Sequence, residues 1–410
     1  MLGPLLFLIF IDDIVQAIEH SKIRLFADDT CLFLEVDDRN QSANLLNRDL
    51  TNIANWSKQW LVNFSPTKTK SLIISNKPDA HLNPPVYLLH QAIEEVDSHT
   101  YLGLRFSNNL RWKHHINDVA TNARKKLNSM VPLKYKLDKK SLEIMYTSFV
   151  LPTMEYANIV WGGSYDCDIM KLETIHIDAN RLITGATARS NIVSLYDEVN
   201  FQTVGTRIQN SSLIMMYKIV NELAPTYLLN LITKEDDDRR YNLRLKNPLK
   251  IPFCRLETFS RSFFPRTAKL WNDLSDRVRS VNSLYEFKQH FKREPPDLVP
   301  LYYYGERWPS VHHARMRIGC SKLKNDLCNN LHVIDNANCN CGNPNETAYH
   351  YFFECPLYIN ERVSLTNKLE NLTNMTLPNL LYGNKALNMN ENQRVFDAVH
   401  EYILETKRFD

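Results

Sequence analysis

Two groups of residues in this chain have the types and spacing for chemistry. The first is Asp28-Asp29, adjacent carboxylates between the apolar runs Lys22-Ile23-Arg24-Leu25 and Thr30-Cys31-Leu32-Phe33-Leu34. Each run is partly β-branched or aromatic and reads as a strand, so the pair falls where a hairpin must turn. Two carboxylates at a tight turn repel unless solvent or a cation offsets their charge. A hard divalent cation suits them, because such ions prefer carboxylate oxygens; a solvated turn is the plain alternative, since Asp is common in turns. The second group is Cys339-x-Cys341-x8-His350-x4-Cys355. Three soft sulfurs and one imidazole suit a closed tetrahedral Zn2+ site, although the C-x-C spacing is tighter than usual. Four reduced, half-buried side chains are the alternative. Asn343-Pro344-Asn345 provides a turn between the halves, and Tyr349, Tyr351, Phe352 and Phe353 could form a small local core. Four protein ligands leave no open position, so this site would be structural and not catalytic.

The elements that must position these groups can be read outward from the hairpin. Asp38 with Gln41 resembles a helix-starting box. Leu46, Leu50, Ile53, Ser57 and Trp60 follow at helical spacing, and Pro66 stops the run. Residues 69–75 read as a strand and 76–95 as a loop containing Pro78, Pro84 and Pro85. His99 to Leu104 reads as a strand with Gly103 inside it, a sign of close backbone approach or of a bulge on a hairpin. Hairpin, helix and strand in this order suit an α+β layer. Beyond residue 108 the periodicity turns helical. Ile116–Met130 is basic, Leu142 to Val150 is amphipathic, Ile169–Thr184 stops at Gly185, and Phe201–Leu231 holds one or two more helices. Residues 232–252, with Glu235-Asp236-Asp237-Asp238 against Arg239-Arg240 and with Pro248 and Pro252, read as a linker. Pro295-Pro296 opens another connection, and Tyr302-Tyr303-Tyr304 leads toward the cysteine cluster.

Composition bounds the function. The chain has 410 residues, 44% hydrophobic and 23% charged, with a net charge of +3; it is globular in character and long enough for several domains. Charge is local: residues 111–140 hold nine Lys/Arg against two Asp/Glu, and residues 239–269 hold nine against one. Such runs can follow a phosphate backbone, or can be solvated faces. The eight cysteines cluster late, unlike a small secreted disulfide scaffold, so a reducing compartment is expected. The run Leu5 to Ile11 lacks a basic leader and is far shorter than the roughly 20 residues of a membrane span; it reads as a buried element.

The blocks around the acidic pair carry a family resemblance. Leu2-Gly3-Pro4-Leu5-Leu6-Phe7, Phe10-Ile11-Asp12-Asp13-Ile14 and Phe26-Ala27-Asp28-Asp29, in this order and spacing, resemble the second half of a reverse transcriptase palm of the non-LTR retrotransposon (LINE-type, jockey-like) branch. Asn63-Phe64-Ser65-Pro66-Thr67-Lys68-Thr69 resembles the next block, and Tyr101-Leu102-Gly103 the primer grip. The resemblance implies Asp28, Asp29 and Lys68 as catalytic residues, with Mg2+ or Mn2+ on the two carboxylates. It implies nucleotide or primer contact for Gly3, Pro4, Phe26, Ala27, Tyr101, Leu102 and Gly103, and a nucleic-acid-binding role for the Cys339, Cys341, His350, Cys355 knuckle with its Zn2+. A third carboxylate belongs to an upstream motif that the 27 residues before Asp28 do not show.

The expectation is therefore an α+β chain. A truncated palm sheet (1–107) precedes a mostly helical thumb-like region (108–231), a basic connecting region (232–299) and a C-terminal domain with the Cys/His knuckle (300–410). The implied function is RNA-directed DNA polymerase, inactive as this chain alone, with RNA template, DNA primer or target and dNTPs as partners. A nuclear or cytoplasmic location without secretion or membrane contact is expected. The alternative is a non-catalytic nucleic-acid-binding zinc protein derived from a retroelement.

Overall fold

The computed structural model describes residues 2–75, 83–233, 249–293 and 305–410. The acidic-to-basic run 235–240, Pro78, Pro248, Pro295-Pro296 and Tyr302-Tyr303-Tyr304 lie outside the described residues. The chain divides into two compact units, Met1–His115 and Ile116–Asp410. Among the described residues no helix is long and apolar enough to cross a membrane.

The first unit opens with helix α1 (Gly3–Asp12), which has Pro4 in its first turn, where a missing N–H costs nothing. The expectation of a buried element here is corrected. Within α1 only Ile11 is buried, while Leu5, Leu6 and Ile9 are 57%, 57% and 66% exposed. A helix apolar on every side cannot be covered by one packing partner, and only the end nearest Ile14 reaches the core. Strands β1 (Lys22–Phe26) and β2 (Asp29–Phe33) then pair antiparallel, Phe26 opposite Asp29. Helix α2 (Arg39–Trp60) starts as its sequence indicates, with the Asp38 carboxylate accepting from the Gln41 N–H at 2.7 Å. It ends at Trp60, capped by Leu61, which turns left-handed at φ +57°, and not at Pro66. Ile11, Ile14, Ile23, Leu50, Ile53, Trp56 and Leu88 form the core between hairpin and helix.

The described strands form four separate two-stranded ladders. The strand expected over 69–75 narrows to Lys70–Ser71, which pairs parallel with Glu94–Glu95. The Val96 N–H closes this short ladder on Ser71 O at 2.9 Å, and the Ser75 N–H bonds to Asn108 O at 2.9 Å. Gly103 is not inside a strand. It and Leu102 form the two-residue turn of a hairpin, Ser98–Tyr101 with Leu104–Ser107. Both carry positive φ, +75° and +48°, the pattern that matches the twist of paired strands.

The second unit is helical. Asp166–Thr184 closes at Gly185 with φ +75°, as its sequence indicates. Val204–Val220 packs on Phe263–Asn272 around Leu213, Met216, Tyr217, Trp271 and Phe287. A buried charge cluster ties Ile192–Val199 to Arg307–Ile318. The Glu198 carboxylate receives Lys139 Nζ at 3.0 Å and Arg317 Nη2 at 2.8 Å, with each side chain at most 4% exposed. Burial this complete demands pairing, because an isolated interior charge costs several kcal/mol. Residues after 360, which no motif marks, supply Leu365, Val399, Tyr402 and Phe409 to the core that also buries Tyr351 and Phe352.

Candidate active site and metal centre

The β1–β2 connection holds only two residues, Ala27 and Asp28, because Phe26 and Asp29 are already paired. Asp28 therefore sits in the turn and Asp29 begins the outgoing strand. Ala27 has φ +51°, a left-handed conformation that costs an alanine about 1 kcal/mol. Such strain persists where surrounding structure enforces it, often at functional sites. Both carboxylates and the flanking Phe26 ring are exposed. Two hard-oxygen donors at one solvent-facing turn are chemically suited to Mg2+ or Mn2+.

The hairpin is anchored by a residue that the motifs do not mark. Asp49, buried on α2, accepts from the N–H groups of Glu19, His20 and Ser21, the last at 2.6 Å, and from Ser21 Oγ at 2.6 Å. Burial pushes its carboxyl upward, but the bonds from Ser21, Glu19 and His20 together outweigh this and hold it below the usual carboxylate value. The chain is thus pinned one residue before β1 begins. The sequence signal available was an acid on the apolar face of a helix.

The other expected residues are distributed unequally around this turn. Burial, then the charges of Cys31 and Asp29, raise the Tyr101 phenol, so the Tyr101-Leu102-Gly103 turn lies within electrostatic range of the acidic hairpin. Gly3 and Pro4 form the exposed first turn of α1. Lys68 lies in a tight turn whose N–H bonds to Ser65 O at 3.2 Å. Its side chain is exposed and makes no contact with the carboxylate pair among the described residues.

Residues 1–106 match the reverse transcriptase (RNA-dependent DNA polymerase) family. The chain is 23% identical over 219 residues to the probable RNA-directed DNA polymerase from transposon X-element of Drosophila melanogaster, covering 52% of this chain and 24% of that protein. It is 24% identical over 221 residues to the probable RNA-directed DNA polymerase from transposon BS of the same organism, covering 51% and 24%. To the RNA-directed DNA polymerase from mobile element jockey it is 23% identical over 259 residues, covering 60% and 28%. The resemblance is thus to LINE-type, non-LTR elements. The chain spans about a quarter of the length of these curated relatives.

Far along the chain from residues 1–106, the four expected soft ligands converge. The donor atoms of Cys339, Cys341, His350 and Cys355 all lie within 4.8 Å of one another. Cys339 Sγ and Cys355 Sγ are 3.8 Å apart, close to the roughly 3.8 Å edge of a tetrahedron with ~2.3 Å metal–sulfur bonds. Cys341 Sγ and His350 Nε2 are 3.2 Å apart. The first pair is shaped by a tight turn, Gly342 N–H to Cys339 O at 3.0 Å, and the second by a π-helical turn, His350–Glu354. Glu354 lies 3.3 Å from His350 Nδ1, leaving Nε2 toward the cluster. Burial pushes the Cys355 thiol up to about 12, whereas the Asn343 backbone draws Cys341 down to about 7. The expected aromatic core is half right. Tyr351 and Phe352 are fully buried, while Tyr349 is 52% exposed and stacks on Phe353. Cys320 packs with Leu195, Ile318 and Leu331 and takes no part in the cluster.

Proposed function

We propose that this chain carries the Asp28-Asp29 part of an RNA-directed DNA polymerase of a non-LTR retroelement, with a structural zinc knuckle near its C-terminus. The observation that carries the reading is the two-residue turn that presents Asp28 and Asp29 to solvent, inside the segment matching the reverse transcriptase family. Two divalent ions, when bound, supply activation of the primer hydroxyl and charge stabilisation of the leaving oxygens. Asp28 and Asp29 would hold the ions in this reading, with Asp28 the principal ligand. Asp49 fixes the approach to the turn. Tyr101, Leu102 and Gly103 hold the primer end, Gly3 and Pro4 lie toward the incoming nucleotide, and Lys68 offers an ammonium to the leaving pyrophosphate.

Two carboxylates do not complete a two-metal site. The 410-residue chain assayed alone is therefore expected to incorporate no dNTP on a primed RNA template with Mg2+ or Mn2+. Template-dependent incorporation by this chain, abolished by Asp28→Ala, would refute the expectation that the third ligand lies outside these residues. For the reading itself, the chain joined to the upstream palm segment of a jockey-type relative should incorporate dNTP and lose this on Asp28→Ala. Activity indifferent to Asp28 would overturn it. The knuckle is tested by metal analysis: about one zinc per purified chain, reduced by Cys355→Ser. An unchanged zinc content in that variant removes the site.

A further inference from the structure

Several cations of the basic runs that stand out in the sequence are committed to partners within the fold. Arg124 pairs with Asp178 at 2.6 Å, and Lys126 Nζ donates to Thr153 Oγ1 at 2.6 Å. Arg261 pairs with Glu257, and Arg266 donates to Ser212 Oγ and to Ile159 O. The aromatic and basic block at 263–274 is therefore mainly core: Trp271 is 3% exposed and the Asn272 side chain braces the Leu249 backbone through two 2.9 Å bonds.

A different set of cations, marked by no motif, gathers around a cleft of about 470 Å3 in the second unit. Arg207, Lys288, Lys292 and Arg293 line it. Arg207 pairs with Glu155, and Arg293 with Asp197. Lys288 and Lys292 are exposed and pair with no other described residue. Four cations against two carboxylates leave two positive charges at one mouth. The floor is polar and cross-braced: Gln202 Nε2 donates to Phe291 O at 2.5 Å and Asn210 Nδ2 to Gln202 Oε1 at 3.0 Å. Phe201 and Phe291 add aromatic lining.

We propose that this cleft binds single-stranded nucleic acid, with neighbouring phosphates on Lys288 and Lys292. Uncommitted cations beside aromatic rings are the make-up of single-strand grooves. The volume is that of one small ligand, enough for a splayed nucleotide and too little for a duplex. The charge and volume stand by themselves; choosing nucleic acid among polyanions rests on the polymerase reading above.

The test is fluorescence anisotropy of a short labelled oligo(U) with the full chain across a salt series. The double variant Lys288→Gln/Lys292→Gln is compared with Lys140→Gln/Lys385→Gln, which removes equal charge from exposed sites elsewhere in the same unit. Each lost single-strand phosphate contact lowers the log–log salt slope by about 0.7. The cleft variant should thus lose about 1.4 in slope and bind on the order of 25-fold more weakly near 0.1 M salt. The control pair should change affinity less than about 3-fold, and both variants should melt as the unmodified chain does. Equal weakening by both pairs, or none by the cleft pair, overturns the site. Failure of the unmodified chain to bind at low salt also overturns it, while the polymerase reading is judged separately by dNTP incorporation in the joined protein.

Discussion

Asp49→Asn is the most informative single change in the first unit. Both Ser21 bonds, from N–H and from Oγ, fall on Asp49 Oδ2 at 2.6 Å, while Oδ1 serves Glu19 N–H at 3.1 Å. An asparagine keeps one acceptor and turns an NH2 group toward the other donors. Hydrogen bonds to a charged group are worth about 1.5–3 kcal/mol each, and an orphaned buried donor costs about 1–3 kcal/mol. Losing the Ser21 pair should therefore cost roughly 3–5 kcal/mol. The effect is local, so native-state hydrogen exchange is the assay of choice. Amides of Glu19 to Ser21 and of β1 should exchange far faster, with the second unit unchanged. The pH dependence has a defined sign. The folded carboxyl is held below its unfolded value, so its stabilisation is present above about pH 3.9 and is lost as pH falls through the folded value. Protection at residues 19–26 within about 1 kcal/mol of the unmodified chain would refute the claim that Asp49 pins the hairpin.

Four further outcomes follow from the same geometry. Glu198→Gln leaves Lys139 and Arg317 buried without their anion and should cost about 3–5 kcal/mol in denaturant unfolding of the second unit; a loss below 1 kcal/mol would count against the cluster. Burial draws Lys139 down to about 7, with Glu198 pulling the other way. The unfolded state then binds more protons below its ordinary lysine value of about 10.4, so stability should rise with pH above neutrality, a rise that Lys139→Met should flatten. Burial first of all lowers His176, His312 and His400 to about 4; their contribution is complete above about pH 6.5 and is lost as pH falls toward 4, which an acid titration of unfolding would detect as a steep decline. Ala27→Gly removes the left-handed strain in the acidic turn and should raise stability by about 0.5–1 kcal/mol, whereas a loss would show that the turn is not strained.

The local signals were strong where one stretch of chain carried its own explanation. The apolar runs on either side of Asp28-Asp29, the Asp38 cap and Gly185 each act within a few residues, and hairpin, helix start and helix stop all occur there. The convergence of Cys339, Cys341, His350 and Cys355 was legible for a similar reason, because side chains paired at one- and four-residue gaps can meet across a single connecting loop. What only the tertiary structure decided was the use made of unmarked residues. Asp49 reads as one acid on a helix until Glu19, His20 and Ser21 fold against it. Arg124 and Arg266 read as phosphate ligands until internal acceptors claim them, while Lys288 and Lys292 are left with their charge. The tract after residue 360 carries no motif, yet Tyr402 and Phe409 close over Tyr351. Local periodicity reports which backbone states a segment prefers; which charges stay free for a ligand depends on partners tens to hundreds of residues away, and folding alone chooses those partners.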